Sequence, residues 1–199
     1  MADTGAPWNI PFVEPTDIPR GYPQDSEDLA LAVAAGLTAA GNAGIGSNVV
    51  QTVKTDVLSA TNTTFEDIPG MAVTITPSSA TSKVLVIVTL MGSSTDTGGG
   101  SALYGRLMRD ATQIGVAASP GSRTPVNNFI TFEGYGSSFG MLNSTSHFLD
   151  SPETTSATVY KVQAKTGAAT YFLNRSITDT DLTVFPRGVS SITAIEVAA

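Results

Sequence analysis

The sequence predicts an all-β fold, an antiparallel β-sandwich of the jelly-roll kind, preceded by an extended proline-rich arm and one short α-helix. Three observations predict it. From Asn48 onward β-branched residues and threonine fall in short runs separated by turn signals. No second helical pattern follows residue 41, so nothing supplies the crossovers that a parallel sheet needs. Cysteine is absent, which leaves packing rather than disulfides or thiolate-bound metal to hold the fold, and 199 residues suffice for one core plus an extension.

The arm, residues 1–24, carries proline at positions 7, 11, 15, 19 and 23. Each ring fixes φ, restrains the residue before it and removes a backbone donor, so the arm is neither a helix nor a central strand. A period of four does not match the three-residue turn of polyproline II, so the prolines line no face and act as stiffeners. Between them Trp8, Ile10, Phe12, Val13, Ile18 and Tyr22 are the expected anchors for pockets on a docking partner.

Residues 25–41 read as a helix. Asp25 or Ser26 caps it, Glu27 and Asp28 suit the positive end of its dipole, and Gly41 stops it. Leu29, Val33 and Leu37 recur every four residues beside Ala32, Gly36 and Ala40, a narrow apolar seam with small neighbours. At about four turns such a helix is marginal alone in water, so the seam requires cover. The "GNAGIGS" run supplies a glycine-rich hinge over 42–47, and 48–199 form the head.

Strands are predicted at Val49 to Leu58, Thr63 to Asp67, Met71 to Thr76, Lys83 to Met91, Ala102 to Arg109, Thr112 to Val116, Phe139 to Leu149, Ala157 to Lys165, Ala169 to Asn174 and Ser191 to Val197. Alternation places Met71, Val73 and Ile75 on one face. In "SITAIEV" it places Ile192 and Ala194 together, with a register shift toward Ile195 and Val197. "KVLVIVTLM" is apolar on both faces and predicts a central, fully buried strand. The Gly-, Pro- and Asn-rich stretch from Ser119 to Ser138 predicts a long surface loop.

Charge narrows the partners. The net charge is −7, of which residues 1–47 hold −5 through Asp3, Glu14, Asp17, Asp25, Glu27 and Asp28 against Arg20. The basic residues are scattered singly, which argues against nucleic acid and against an anionic membrane surface. An acidic start interrupted by prolines does not resemble a secretion signal, and the longest apolar run, Val84 to Val88, is too short to insert into a membrane.

Candidate chemistry is sparse. "GSSFG" fits the G-x-S-x-G spelling around Ser138, with His147 and Asp150 downstream, but an elbow needs a strand before it and a helix after it. Strand-like sequence follows here, so a glycine-serine turn is the expected reading. His147 is the single histidine and has no second histidine to share a metal. Asp179 and Asp181 lack the further oxygens and glycine of an EF-hand, leaving at most a loose calcium site. Asn62, Asn143 and Asn174 spell N-x-[ST] sequons, which carry meaning only on a secretory route. No catalytic, cofactor-binding or metal-binding residue is predicted.

The run "GIGSNVVQTVKTDVLSATNTTFEDIPGMAVTITPSSATSKVLVIVTLMGS" resembles the opening strands of small β-domains in bacteriophage appendage proteins, most specifically in "TITPSSATSKVLV". "ATYFLNRSITD" and "SSITAIEVAA" are similar to the last strands of those domains, so the resemblance covers roughly 44–199. The arm and helix are similar to the leading segment of phage virion proteins. The resemblance implies a homotrimeric, non-enzymatic virion component with a jelly-roll-like head, its arm docked on capsid or on portal or tail components. Three helices meeting at an axis would cover Leu29, Val33 and Leu37.

Three functions follow as expectations. The first is a capsid-surface decoration or short head fibre. The alternative is a tail-fibre or baseplate protein that binds a host-surface glycan, with Tyr104, Phe129, Phe132, Tyr135 and Phe139 available to stack on sugar rings. The third and remotest is a serine hydrolase using Ser138.

Overall fold

A computed structural model describes residues 29–35, 48–95, 103–118, 121–130 and 139–198. The chain divides into two compact units, Met1–Asn42 and Ala43–Ala199. The described part of the first unit is a helix, α1, at residues 29–35, inside the predicted 25–41. The anchors Trp8, Ile10, Phe12, Val13, Ile18 and Tyr22, the seam residue Leu37 and the hinge lie outside the described residues.

The second unit is built from β1 (Val49–Lys54), β2 (Leu58–Ala60), β3 (Glu66–Ile75), β4 (Lys83–Ser94), β5 (Leu103–Arg109), β6 (Thr112–Ile114), β7 (Asn128–Ile130), β8 (Leu142–Asp150), β9 (Thr158–Thr166), β10 (Tyr171–Leu173) and β11 (Ser190–Val197). In the first sheet one edge of β4 pairs with β8 over 84–92. Its other edge pairs with β11 over 83–89 and then with β10 over 92–94. β1 lies outside β11, and β2 outside β10. In the second sheet the order is β3, β9, β5, and β6 and β7 share the far edge of β5 end to end.

The antiparallel pairs β1/β11, β3/β9, β4/β8 and β5 with β6 and β7 are those of one long hairpin rolled over on itself. The resulting orders, β1-β11-β4-β8 and β3-β9-β5-β6, make the sandwich a jelly roll, as predicted. Its core joins Val84, Val86, Val88, Leu90 and Ile192 of the first sheet to Met71, Val73, Ile75, Leu103, Tyr160 and Val162 of the second.

Five predicted details change, each for a reason that lies in pairing. The strand predicted at Val49 to Leu58 breaks at 55–57, where the outer strand changes partner from β11 to β10. The runs around "IPG" merge into β3, because the expected turn is a bulge: the register shifts between Asp67 and Ala72 while Gly70 takes φ +77. The predicted loop from 119 to 138 contains β7, three residues that add to the edge of β5. In β11 there is no shift toward Ile195 and Val197, since Ser190, Ile192, Ala194 and Glu196 all point inward. Finally β4 is central but not buried on both faces: Val84, Val86, Val88 and Leu90 are inaccessible, whereas Leu85, Ile87 and Met91 are half-covered.

Candidate interaction surface

Three buried polar clusters sit where the sandwich changes direction. Glu196, at an inward position of β11, accepts from the Ser78 amide at 2.7 Å, from the Ser78 hydroxyl, and from Asn48 Nδ2 at 3.3 Å. Burial alone would raise its pKa. The Ser78 hydroxyl and amide and the Asn48 side chain, with the Ser82 side chain buried nearby, outweigh burial and hold the carboxyl below its ordinary value. The cluster fastens the first described residue of the head and the β3–β4 link to β11. Ser78 and Ser82 are serines of "TITPSSATSKVLV", so that motif folds around a carboxylate.

Asp150 closes β8 and accepts from Arg109 Nη1, which lies 3.0 and 2.9 Å from its two oxygens and also donates to the Ser151 carbonyl at 3.1 Å, and from the Tyr160 hydroxyl at 2.7 Å. Arg109 and Tyr160 are register partners in the second sheet, so the cluster pins one sheet to the other. Burial and the neighbouring carboxylate push the Tyr160 hydroxyl far above its ordinary pKa. Asn174 forms the third cluster, fully buried in the left-handed region at φ +61. Its Nδ2 donates to the Lys54 and Asp56 carbonyls at 2.7 and 2.9 Å, and its Oδ1 accepts from Ser190 at 2.7 Å. One side chain thereby closes both breaks beside β4, between β1 and β2 and between β10 and β11.

One of these clusters holds Asp150, a candidate for chemistry in the sequence. His147 is exposed on the outer face of β8, and Asp150 faces inward on the same strand, committed to Arg109 and Tyr160. The structure does not bring the two together, and Ser138 lies outside the described residues. Asp179 pairs with Arg187 at 2.6 Å and Arg175 at 3.5 Å, so a calcium ion there would have to displace two cations. Among the described residues no group of three or more histidines and carboxylates is placed to hold a metal ion, and no helix is long and apolar enough to cross a membrane. The sequon asparagine Asn174 is inaccessible in the folded head. An open cleft of 530 Å³ is lined by Asn127, Ser146, His147 and Phe148 among others. Asn127 and Ser146 there are already bonded within the protein, to Leu107, Gly115 and Asn128.

The two outer faces of the sandwich differ in kind. On the second sheet Asp67 accepts from Lys161 at 2.7 Å and Gln163 at 2.6 Å, which hold its carboxyl below its ordinary pKa. Arg106 lies 4.3 Å over the Phe65 ring, and Lys165 sits within cation–π range of Phe65 and Tyr104. That face suits water. On the first sheet Val49, Ile195, Leu85 and Leu149 are successive register partners, so an apolar row crosses β1, β11, β4 and β8. Val49 is 51% exposed and Leu149 46%. The two-faced apolar pattern of β4 was the one signal of this surface in the sequence.

In the first unit, Leu29 and Val33 of the predicted seam are exposed on α1 at 66% and 52%, together with Leu31. Of the aromatic residues considered for sugar stacking, Tyr104 is half-buried beside Lys165, Phe139 is exposed, and Phe132 and Tyr135 lie outside the described residues. In comparisons with known proteins, no family model and no curated protein sequence matches this chain.

Proposed function

We propose that this chain is a non-enzymatic structural protein of a bacteriophage virion, a homotrimeric capsid-surface decoration or short head fibre held on the particle by its N-terminal arm. The observation that carries the reading is the exposed apolar seam of α1, with Leu29 and Val33 uncovered on a helix too short to persist alone. Three copies meeting at an axis give each seam a partner, and Ala32 beside it permits close approach. The likeness of 44–199 to phage appendage domains supplies the setting, and the jelly roll is a fold that capsid and lectin domains use. The buried clusters around Glu196, Asp150 and Asn174 support a role in which the head has only to be rigid.

Imaging of particles whose copies carry a C-terminal tag tests the position. The expected result is label on the capsid surface, at a copy number divisible by three. Label confined to the tail tip would replace this reading with the tail-fibre one, which the exposed Phe139 favours and which a host-glycan array then tests. Deletion of residues 1–24 is expected to leave a folded head that no longer joins the particle. A truncated chain that incorporates normally would remove the docking role from Trp8, Ile10, Phe12, Val13, Ile18 and Tyr22.

A further inference from the structure

Resting on the self-association proposed above, we infer that the outer face of the β1-β11-β4-β8 sheet is where the heads of two copies of this chain meet. The row Val49, Ile195, Leu85 and Leu149 spans three interstrand spacings, about 14 Å. Val53, 48% exposed on the same side of β1, and Ile87 on β4 widen it. A solvated sheet face turns polar on alternate residues, as the second sheet does through Asp67, Lys161, Gln163 and Arg106. The first sheet does so only in part: β8 turns Asn143, Thr145 and His147 outward, while the row through Val49, Ile195, Leu85 and Leu149 stays apolar.

Two pairs of polar side chains on this face bond to each other. Gln51 donates to Thr193 at 2.8 Å and the Thr89 and Thr145 hydroxyls bond each other at 3.2 Å, so each pair keeps a bond of its own when water is removed from the face. Among the described residues Lys83, at the end of β4, is the one formally charged side chain on the face. Depletion of charge around an apolar centre is the signature of an interface core.

Charge and chain path select a second copy as the occupant. Residues 48–199 carry only −2 of the net −7, so heads approach one another without the repulsion concentrated in the arms. A strongly acidic or basic partner finds no complement on a face this neutral. Val49 is also the second described residue of the head, directly after the segment that leads from α1. Heads that meet across this row, Val49 of one against Leu149 of the other, hold their residue-48 ends about one row width, ~14 Å, apart, so one association can serve both this face and the exposed Leu29, Leu31 and Val33 of α1.

The test is sedimentation of the full chain against two double variants, Val49→Glu with Leu149→Glu and Leu29→Glu with Val33→Glu, with thermal melts to verify folding. The expected result is an oligomeric wild type whose association weakens at least about tenfold when Val49 and Leu149 are charged, the loss of two half-buried apolar side chains from a contact. If charging Val49 and Leu149 leaves association intact while charging the helix abolishes it, the sheet-face inference is overturned and the helix-mediated trimer stands. A wild type that stays monomeric at every concentration overturns both. A charged-face variant that associates normally but is missing from particles assigns the face to a different virion protein, and again overturns the inference. Because the chain has no cysteine, one introduced at position 149 provides a second readout: it should cross-link with one at position 49 of another copy, while Thr74→Cys on the opposite sheet should not. Equal cross-linking from both faces counts against the inference.

Discussion

Glu196 is the residue at which local pattern and tertiary structure part. In sequence it interrupts the alternation of "SITAIEV" and suggests a strand shifting its inward face, yet its carboxylate is inaccessible and its ligands stand 118 and 148 positions away at Ser78 and Asn48. Glu196→Gln puts an amide N–H toward one of these donors and is expected to cost about 2 kcal/mol, read as a lower urea midpoint at pH 7. The pH dependence follows from the lowered native pKa. A carboxyl whose pKa is depressed by folding stabilises above its ordinary value of 4.5, and that contribution fades as pH falls through the native value. The gap between wild type and Glu196→Gln should therefore be full at pH 6 to 7 and close in acid; a gap that widens in acid would contradict the cluster. Tyr160→Phe removes one of the donors to Asp150 while Arg109 remains, and is expected to cost about 1 to 2 kcal/mol in the same measurement.

At the level of elements, legibility tracked how local the deciding contacts were. Met71, Val73 and Ile75 alternate within five residues and were readable as one inward face, which the structure places in the core. The joint at 55–57 was not readable, because it arises from two different partners, β11 and β10, lying end to end along β4. β7 spans three residues and pairs only with the edge of β5, too short for any periodicity. Asn174 carries the joint, and Asn174→Asp keeps its shape while setting a carboxylate oxygen against the Lys54 and Asp56 carbonyls. The expected loss is about 3 kcal/mol, or a Tm about 6 to 12 °C lower. An unchanged melting curve would mean that the ladder of β4 with β10 and β11 holds the joint without it.

For the molecule as a whole, the head should be self-sufficient. Every hydrogen bond of the Glu196, Asp150 and Asn174 clusters is made among residues 48 to 198, so a chain of residues 48–199 is expected to melt cooperatively and give a dispersed amide spectrum. A collapsed, poorly dispersed spectrum would show that the N-terminal unit contributes to the core. Apolar side chains stay exposed on α1 at Leu29, Leu31 and Val33, on the outer face of the first sheet at Val49, Val53 and Leu149, and between β10 and β11 at Leu182, Val184 and Val189; the first two groups are the surfaces proposed above for contacts between chains.

What the sequence by itself determined is the fold class, the site of α1 and the inward face of most strands, because propensity and period act between near neighbours and need no partner to be legible. What only the tertiary structure decided is which strands are neighbours, that Glu196 and Asn174 are the joints of the head, and that one face of β4 stays uncovered. Those outcomes depend on residues brought together from more than a hundred positions apart, and no local pattern records them.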